Sequence, residues 1–466
     1  MKGIEEKLRS RLRAAGQEQL LAFWDGLDEA AREQLARQIE NTDLDLISRL
    51  VKGQEMAPDW SDLAARARPP RAIRPFEQGA SIRVREAAAR GEELLAQGKV
   101  GMILVAGGQG TRLGFPHPKG MFPLGPISHR TLFQIHIDRL AAVAQRYGAP
   151  IPLYLMTSPA THAETVDFLQ RHDRFGLPAE DLVIFCQGVM PAVDARTGEI
   201  LLAERDSLFL SPDGHGGMLA AFDHSGSLRD ARRRGIEQLF YGQVDNPLLQ
   251  TCDPRLIGYH ALFQSEMTTQ VVRKRHPLDR LGNLVEIDGC ARIIEYSDLP
   301  EEAARQQNPD GSLYLWAGSI AVHVFAVEFL ERAARRSDGL PFHRALKKAA
   351  YLAADGRLVQ PASPNAVKFE RFIFDLLPWA RNPLAVEAAA EEAFAPVKNA
   401  PGAADETAET AQASMIRRDT QLLRAAGAKV REGVAVEINP RWALDVDQIQ
   451  RRIRPGSLIE EPTYFH

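Results

Sequence analysis

The chain has 466 residues, 45% of them hydrophobic and 25% charged, with 57 basic and 61 acidic side chains and a formal net charge of −4. That length and apolar fraction allow two or three domains around a large buried core, and the near-balance of charge excludes the global positive field of a nucleic-acid-coating protein. Cys186, Cys252 and Cys290 lie far apart and form neither a disulfide framework nor a CxxC metal pair, which fits a reducing cytoplasm. The opening "MKGIEEKLRSRLRAAGQ" lacks the apolar core of a secretory signal, and no run approaches the ~18 apolar residues of a membrane span. The expectation is a cytoplasmic protein with no membrane partner.

Residues 1 to about 60 read as helices. In "LDEAAREQLARQIE", Asp28 is placed to cap the start, and Leu35 and Ile39 fall four apart on one face. "RARPPRAIRP" (66–75) breaks the pattern with three prolines, so a boundary is expected there. From residue 100, strand-like runs alternate with helices. "VGMILVA" and "IPLYLMTS" are predicted strands, and 131–148 between them is a predicted helix with a Thr131–Gln134 capping box. A second box, Thr161 with Glu164, is expected to open the next helix, ahead of a strand at 181–187. The run 236–247 reads as another strand that ends in polar residues, and 268–299 is hairpin-like. After the Pro/Gly/Ala-rich stretch at 396–410, a helix is predicted near 407–427. Alternation of this kind predicts an α/β fold whose mixed, mostly parallel sheet binds ligands outside the carboxyl ends of its strands. The implied order is a helical segment over 1–70, a central domain over 71–400 and a small C-terminal domain over 401–466.

The densest local chemistry is "VGMILVAGGQGTRLGFPHPKGMFPL" (100–124), with Gly107, Gly108 and Gly110 directly after an apolar run. Small residues there let successive backbone N–H groups close on an anion. A Walker A loop requires GxxxxGK[ST], which occurs nowhere in the chain. A dinucleotide loop requires GxGxxG opening a helix, whereas here Gly108, Gly110 and Gly114 are spaced differently and Phe115, Pro116 and Pro118 block a helix start. The reading left is a nucleotidyltransferase loop, GGxGTRL followed by Pro-Lys, against the plainer alternative of a tight turn with two solvated cations. Nucleotidyl transfer needs positive charge on the nucleophile, the transferred phosphoryl group and the leaving pyrophosphate, and positioning and electrostatics supply most of its catalysis. Arg112 offers a planar fork for the pyrophosphate and Lys119 a compact charge for the α-phosphate.

With these blocks on view the sequence resembles the eukaryotic-type UDP-sugar pyrophosphorylase family. It is closest to the N-acetylglucosamine branch and more distantly similar to the glucose branch. The likeness runs through "VAGGQGTRLGFPHPKG", "FCQGVMPAVD", "SPDGHGGMLAAF", "YGQVDNPLLQTCDP", "IIEYSDLP", "GSIAVHVF", "AVKFERFIFDLLPWA" and "FAPVKNA" in that order. It implies a Rossmann-like, GT-A-type nucleotidyltransferase fold acting on UTP and a sugar 1-phosphate with Mg²⁺. Val105, Ala106, Gly107 and Gly108 would line the uridine nucleotide, Lys119 and Lys368 would reach its phosphates, and Gln187 and Gly214 would contact uracil. Asp245 would sit near the phosphates and help hold the metal. Glu295 and Tyr296 would meet the sugar hydroxyls, and Lys398 the sugar phosphate. Each residue also has a plainer reading: a turn residue for Asp245, a strand-end cap for Gln187, a strand edge for Glu295–Tyr296 and solvated surface charge for the lysines. The cluster "RDARRRG" (229–235) reads as a solvated helix face and not a nucleic-acid contact, since no aromatic residues interleave it.

The sugar pocket departs from the resemblance. His215 stands where the N-acetylglucosamine branch usually has Asn, and Ser319 replaces a second sugar-facing Asn. Loss of both amides weakens the case for an N-acetyl sugar without establishing glucose. His215 is either a sugar hydrogen-bonding group or a structural histidine. Two further alternatives stand at this stage, a non-catalytic uridine-nucleotide binder with the same fold and an enzyme that uses dTTP or ATP. The sequence sets no oligomeric state.

Overall fold

A computed structural model describes residues 2–53, 60–75, 81–336 and 339–466. The chain divides into two compact units, neither continuous in sequence: Met1–Asp59, Gln187–Met218 and Asp338–Ile373 form the smaller, and Trp60–Cys186, Leu219–Ser337 and Phe374–His466 the larger. This differs from three consecutive segments for a physical reason. The helices Glu29–Glu40 and Leu44–Val51 are capped by Asp28 and Asp43 but are too few to enclose their own apolar faces. Leu35, Ile39, Ile47 and Leu50 are buried with Val193, Ile200, Leu202, Leu208, Val367 and Phe369, from two later stretches of the chain.

The larger unit is built on a mixed sheet whose strands lie in the order Ala72–Ile73, Leu384–Ala388, Met267–Arg273, Ala317–Ala326, Gln238–Gln243, Val100–Val105, Leu153–Thr157 and Leu182–Cys186. All neighbouring pairs on this path are parallel except the two made by Ala317–Ala326. Val100–Val105 and Leu153–Thr157 are almost wholly buried, which is why they read as continuous apolar runs. The chain moves outward from 100–105 to 153–157 and 182–186, then returns to place 238–243 on the other side of 100–105. A topological switch point therefore lies between 100–105 and 238–243, where ligands of open α/β sheets bind. The hairpin Gly282–Ile287/Cys290–Ile294 turns through Asp288 and Gly289, both at positive φ (51° and 78°), as a two-residue type I′ turn requires. It joins Ala317–Ala326 at the pairs Gly282–Ser319 and Asn283–Gly318.

The helix Leu132–Tyr147 starts with the expected Thr131–Gln134 box and stops at Gly148 in the left-handed conformation. The next helix corrects the second expectation. It spans Pro159–Arg171 with Ser158 at the N-cap and Thr161 at the third position, where Thr161 Oγ1 accepts from Ser158 N, so the residues paired at the helix start are Ser158 and Thr161 and not Thr161 and Glu164. Pro159 sets the start, because its ring pre-forms the first helical φ. In the basic cluster three of the four arginines are ion-paired, Arg232 with Glu328 and Glu331, Arg233 with Asp230, and Arg234 with Asp230 and Asp181. The C-terminal stretch keeps a small core of its own around Leu423, Val436, Ile438 and Ile449. Glu437 ties it down by accepting from the Ile127 and Ser128 amides and from Ser128 Oγ at 2.6–2.8 Å. No helix among the described residues is long and apolar enough to cross a membrane.

Helices Ser81–Ala96 and Pro254–Leu262 pack backbone to backbone. A Cβ on Gly258 would lie 1.7 Å from Ala87 O, and one on Gly91 1.8 Å from Pro254 O. Gly258→Ala therefore forces the helices apart and should lower unfolding free energy by about 1–3 kcal/mol. Chemical denaturation checks this, and an unchanged midpoint would mean that the two helices separate freely.

Candidate functional site

Val100–Val105 and Gln238–Gln243 end side by side, with Val105 opposite Gln243 and the Val244 amide donating to Val105 O at 3.0 Å. The glycine loop leaves the first strand and Asp245 follows the second, so the switch point brings them together. The loop folds back on itself. Lys119 N donates to Gly108 O (3.0 Å), Gly110 N to His117 O (2.8 Å) and Phe115 N to Gly110 O (3.1 Å). Gly110 is required by this fold-back, since a Cβ there would be 2.7 Å from Phe115 O. Among the described residues the amides of half-buried Gly107 and of exposed Gly108 and Gln109 donate to no protein group, which leaves them open to solvent or a ligand. Three successive N–H groups at a strand end form an anion-binding concavity.

Lys119 is nearly buried and lies along Gly108, and its Nζ is 3.5 Å from Asp245 Oδ2. Asp245 is held from two sides. Its carbonyl accepts from Val397 N at 2.9 Å. The preceding carbonyl, Val244 O, accepts from His136 Nε2 at 2.9 Å. Burial lowers the His136 pKa to about 4, so the imidazole is neutral and its proton stays on the nitrogen facing Val244. The Val397 contact places Lys398 next to this centre, where Glu406 Oε1 lies 3.3 Å from Lys398 Nζ. Arg112 is exposed on a short 3₁₀ turn that ends at Gly114 in the left-handed conformation, and among the described residues it makes no ion pair. Glu295 and Ser319 converge on Gly282. Ser319 pairs with Gly282 across the ladder, and a Cβ on Gly282 would lie 3.1 Å from Glu295 Oε1. Tyr296 beside them is 49% exposed. Ser319 sits where the 317–326 strand bulges against its neighbour, with Ala321 at φ 55°.

Gln187, Gly214, His215 and Lys368 belong to the smaller unit. A short ladder pairs Val189 with Pro212, and continuing its register sets Gln187 opposite Gly214. Gly214 and Gly216 sit against the backbone of Arg371 and Phe372, leaving no room for a Cβ. Lys368 is half-buried in the strand Ala366–Glu370, over the Phe209 ring at 5.2 Å, and desolvation lowers its pKa. His215 Nδ1 accepts from Ile373 N at 3.3 Å while its ring stacks on Phe372. Burial, then the neighbouring His343, holds its pKa near 4. It is thus neutral, with its proton on Nε2, which makes it a donor on that side.

Two features escaped the sequence reading. Ser158 is 1% exposed and binds the glycine loop, its Oγ donating to Gly107 O at 2.7 Å. Its only sequence mark is Ser-Pro at a helix start. Asp213, adjacent to Gly214, is buried with no hydrogen-bond partner for Oδ1 among the described residues, and desolvation raises its pKa against the opposing Arg371 charge. As for a metal, no group of three or more His, Cys, Asp or Glu among the described residues could hold an ion by itself. A carboxylate beside a run of open amides, as Asp245 is, fits Mg²⁺, which takes one or two carboxylates and completes its shell with phosphates and water.

The chain matches the family model described as UTP–glucose-1-phosphate uridylyltransferase over residues 53–451. It is 35% identical over 436 residues to the UDP-N-acetylhexosamine pyrophosphorylase-like protein 1 of Xenopus tropicalis, covering 91% of this chain and 85% of that protein. It is also 35% identical over 385 residues to the UDP-N-acetylglucosamine pyrophosphorylase of Saccharomyces cerevisiae, 80% of each chain. The crystal structure of the Trypanosoma brucei uridine diphosphate N-acetylglucosamine pyrophosphorylase superposes with a TM-score of 0.81 at 24% identity, over 99% of this chain and 98% of that one. That structure shares the fold.

Proposed function

The chain belongs to the UTP–glucose-1-phosphate uridylyltransferase family, and from that premise we propose that it converts UTP and a hexose 1-phosphate, N-acetylglucosamine 1-phosphate or glucose 1-phosphate, to a UDP-sugar and pyrophosphate. The observation that carries this is the centre at the switch point, where the run of open amides from Gly107 to Gln109 adjoins Lys119 and Asp245. Those amides and Lys119 hold the triphosphate, and Arg112 takes charge on the leaving pyrophosphate. Lys398 guides the sugar phosphate, and Glu295, Tyr296 and Ser319 meet the sugar. Gln187 and Gly214 read the base, His215 donates from Nε2 toward the sugar, and Lys368 adds charge for the triphosphate. A phosphate oxygen of the sugar 1-phosphate attacks the α-phosphorus in line, the bond to the bridging oxygen breaks, and pyrophosphate leaves with the electron pair. The nucleophile is already an anion at neutral pH, so no base and no covalent enzyme intermediate are needed. Magnesium, when bound, supplies neutralising charge to the phosphates, and Asp245 is the carboxylate that would hold it. That Cys252 and Cys290 form no disulfide among the described residues supports a reducing, cytoplasmic setting.

Pyrophosphate release from UTP and Mg²⁺ with glucose, N-acetylglucosamine and galactose 1-phosphates tests the reading. Release with at least one sugar is expected, and the preferred sugar shows what His215 and Ser319 select. Tight UTP binding with no release from any of the three overturns the reading in favour of a non-catalytic binder, and turnover only with dTTP or ATP overturns the base assignment.

A further inference from the structure

We propose that Ser158 is a positioning residue for the nucleotide loop: by fixing the Gly107 carbonyl, its hydroxyl aims the Gly108 N–H at the nucleotide phosphates. In a trans peptide the carbonyl of one residue and the N–H of the next point in opposite directions. No peptide among the described residues is cis, so the group that holds Gly107 O also sets the direction of Gly108 N–H. Ser158 Oγ donates to Gly107 O at 2.7 Å, while Gly108 N–H donates to no protein group among the described residues.

An N-cap serine ordinarily uses its oxygen to accept from the first-turn amides. Here the Thr161 amide goes to Ser158 O at 2.9 Å. Thr161 Oγ1 accepts from Ser158 N (3.1 Å) and lies 3.0 Å from Ser158 Oγ. With the Ser158 proton committed to Gly107 O, the Thr161 hydroxyl is left to donate to Ser158 Oγ (3.0 Å) or Ser158 O (3.3 Å), and the network is satisfied. The same helix holds the far side of the loop, Glu164 Oε1 lying 2.5 Å from His117 Nδ1. A glycine-rich segment without such ties loses its anion-binding shape, because glycine peptides flip at little steric cost.

The proposal rests on the nucleotide-site reading above, and its test separates the two. Glycine at an N-cap costs only a few tenths of a kcal/mol relative to serine, so Ser158→Gly removes the hydroxyl and leaves the helix start nearly intact. UTP affinity by calorimetry should fall about tenfold or more, equivalent to the loss of one charge-assisted hydrogen bond. Turnover should fall at least as far, the KM for the sugar 1-phosphate should be unchanged, and Ser158→Thr should restore most of the loss. Amide hydrogen exchange at 105–119 in the nucleotide-free variant should quicken. Wild-type UTP affinity and turnover in Ser158→Gly would overturn the positioning role. So would a loss of thermal stability with no change in affinity or exchange, since that is the signature of a simple cap. Failure of the wild-type protein to bind UTP would sink the nucleotide-site reading instead, and the exchange measurement would still report whether Ser158 holds the loop.

Discussion

Lys119→Ala should lower turnover about 10²- to 10³-fold, the usual loss when one preorganised donor to a developing charge is removed, and should leave the fold intact. The lysine is nearly buried, 3.5 Å from Asp245 Oδ2 and lying on the glycine loop. It is therefore held in place before substrate arrives and costs no reorganisation during the reaction. The 3.5 Å separation from Asp245 is too long for a strong hydrogen bond, but both side chains are largely buried, so removing the lysine leaves Asp245 without its opposite charge and should lower thermal stability as well. Lys119→Arg should rescue little, because a planar fork does not replace a compact ammonium in a closed space. Arg112→Ala should reduce turnover through the departing pyrophosphate while leaving thermal stability unchanged, since Arg112 is exposed and makes no ion pair among the described residues. Steady-state kinetics with parallel thermal melts check both. Near wild-type turnover in Lys119→Ala removes the lysine from the chemistry.

The second large effect is acid lability. Burial lowers the pKa of His136 and His215 to about 4 and of His260 to about 3, from an ordinary 6.5. Each is neutral in the folded protein, and each gains a proton on unfolding once the pH is below 6.5. Stability is thus fully present above pH 6.5 and is lost as the pH falls from there toward 4. At pH 5 the loss is on the order of 2 kcal/mol per histidine, a large part of the roughly 5–15 kcal/mol that holds a domain together. Asp213 and Asp419, whose pKa values burial raises, act in the opposite direction by keeping protons in the folded state. Thermal melts at pH 7.5 and 5.0 should show a clear drop. In the folded protein the imidazole carbon-bound proton signals of these three histidines should stay at their neutral positions down to pH 5. Titration of all three near pH 6.5 in the folded protein defeats the prediction.

Much of the architecture was legible in the chain itself. The buried strands 100–105 and 153–157 appear as unbroken apolar runs, the Thr131–Gln134 box as a local pattern, and the stretch 268–299, which holds the 282–294 hairpin, as hairpin-like. Each depends on contacts within a few residues, and short-range periodicity and capping encode such contacts directly. The glycine loop with Arg112 and Lys119 was legible for the same reason, because its fold-back is a local hydrogen-bond pattern that needs glycine at one crowded position.

Other features depended on distant parts of the chain. The pairing of 238–243 with 100–105 decides that Asp245 faces Lys119, and nothing near either residue states it. Ser158 looked like an ordinary helix start, and only the sheet shows that its proton goes to Gly107, 51 residues earlier. The N-terminal helices read as a segment of their own, yet their apolar faces close only on strands more than a hundred residues away, so the boundary of the compact unit could not follow the local break at 66–75. Sequence by itself determined most of the elements and the place of the glycine loop, because those are set by nearest neighbours. Tertiary structure alone decided which residues meet across the switch point, because burial and strand register join positions whose separation leaves no periodic trace.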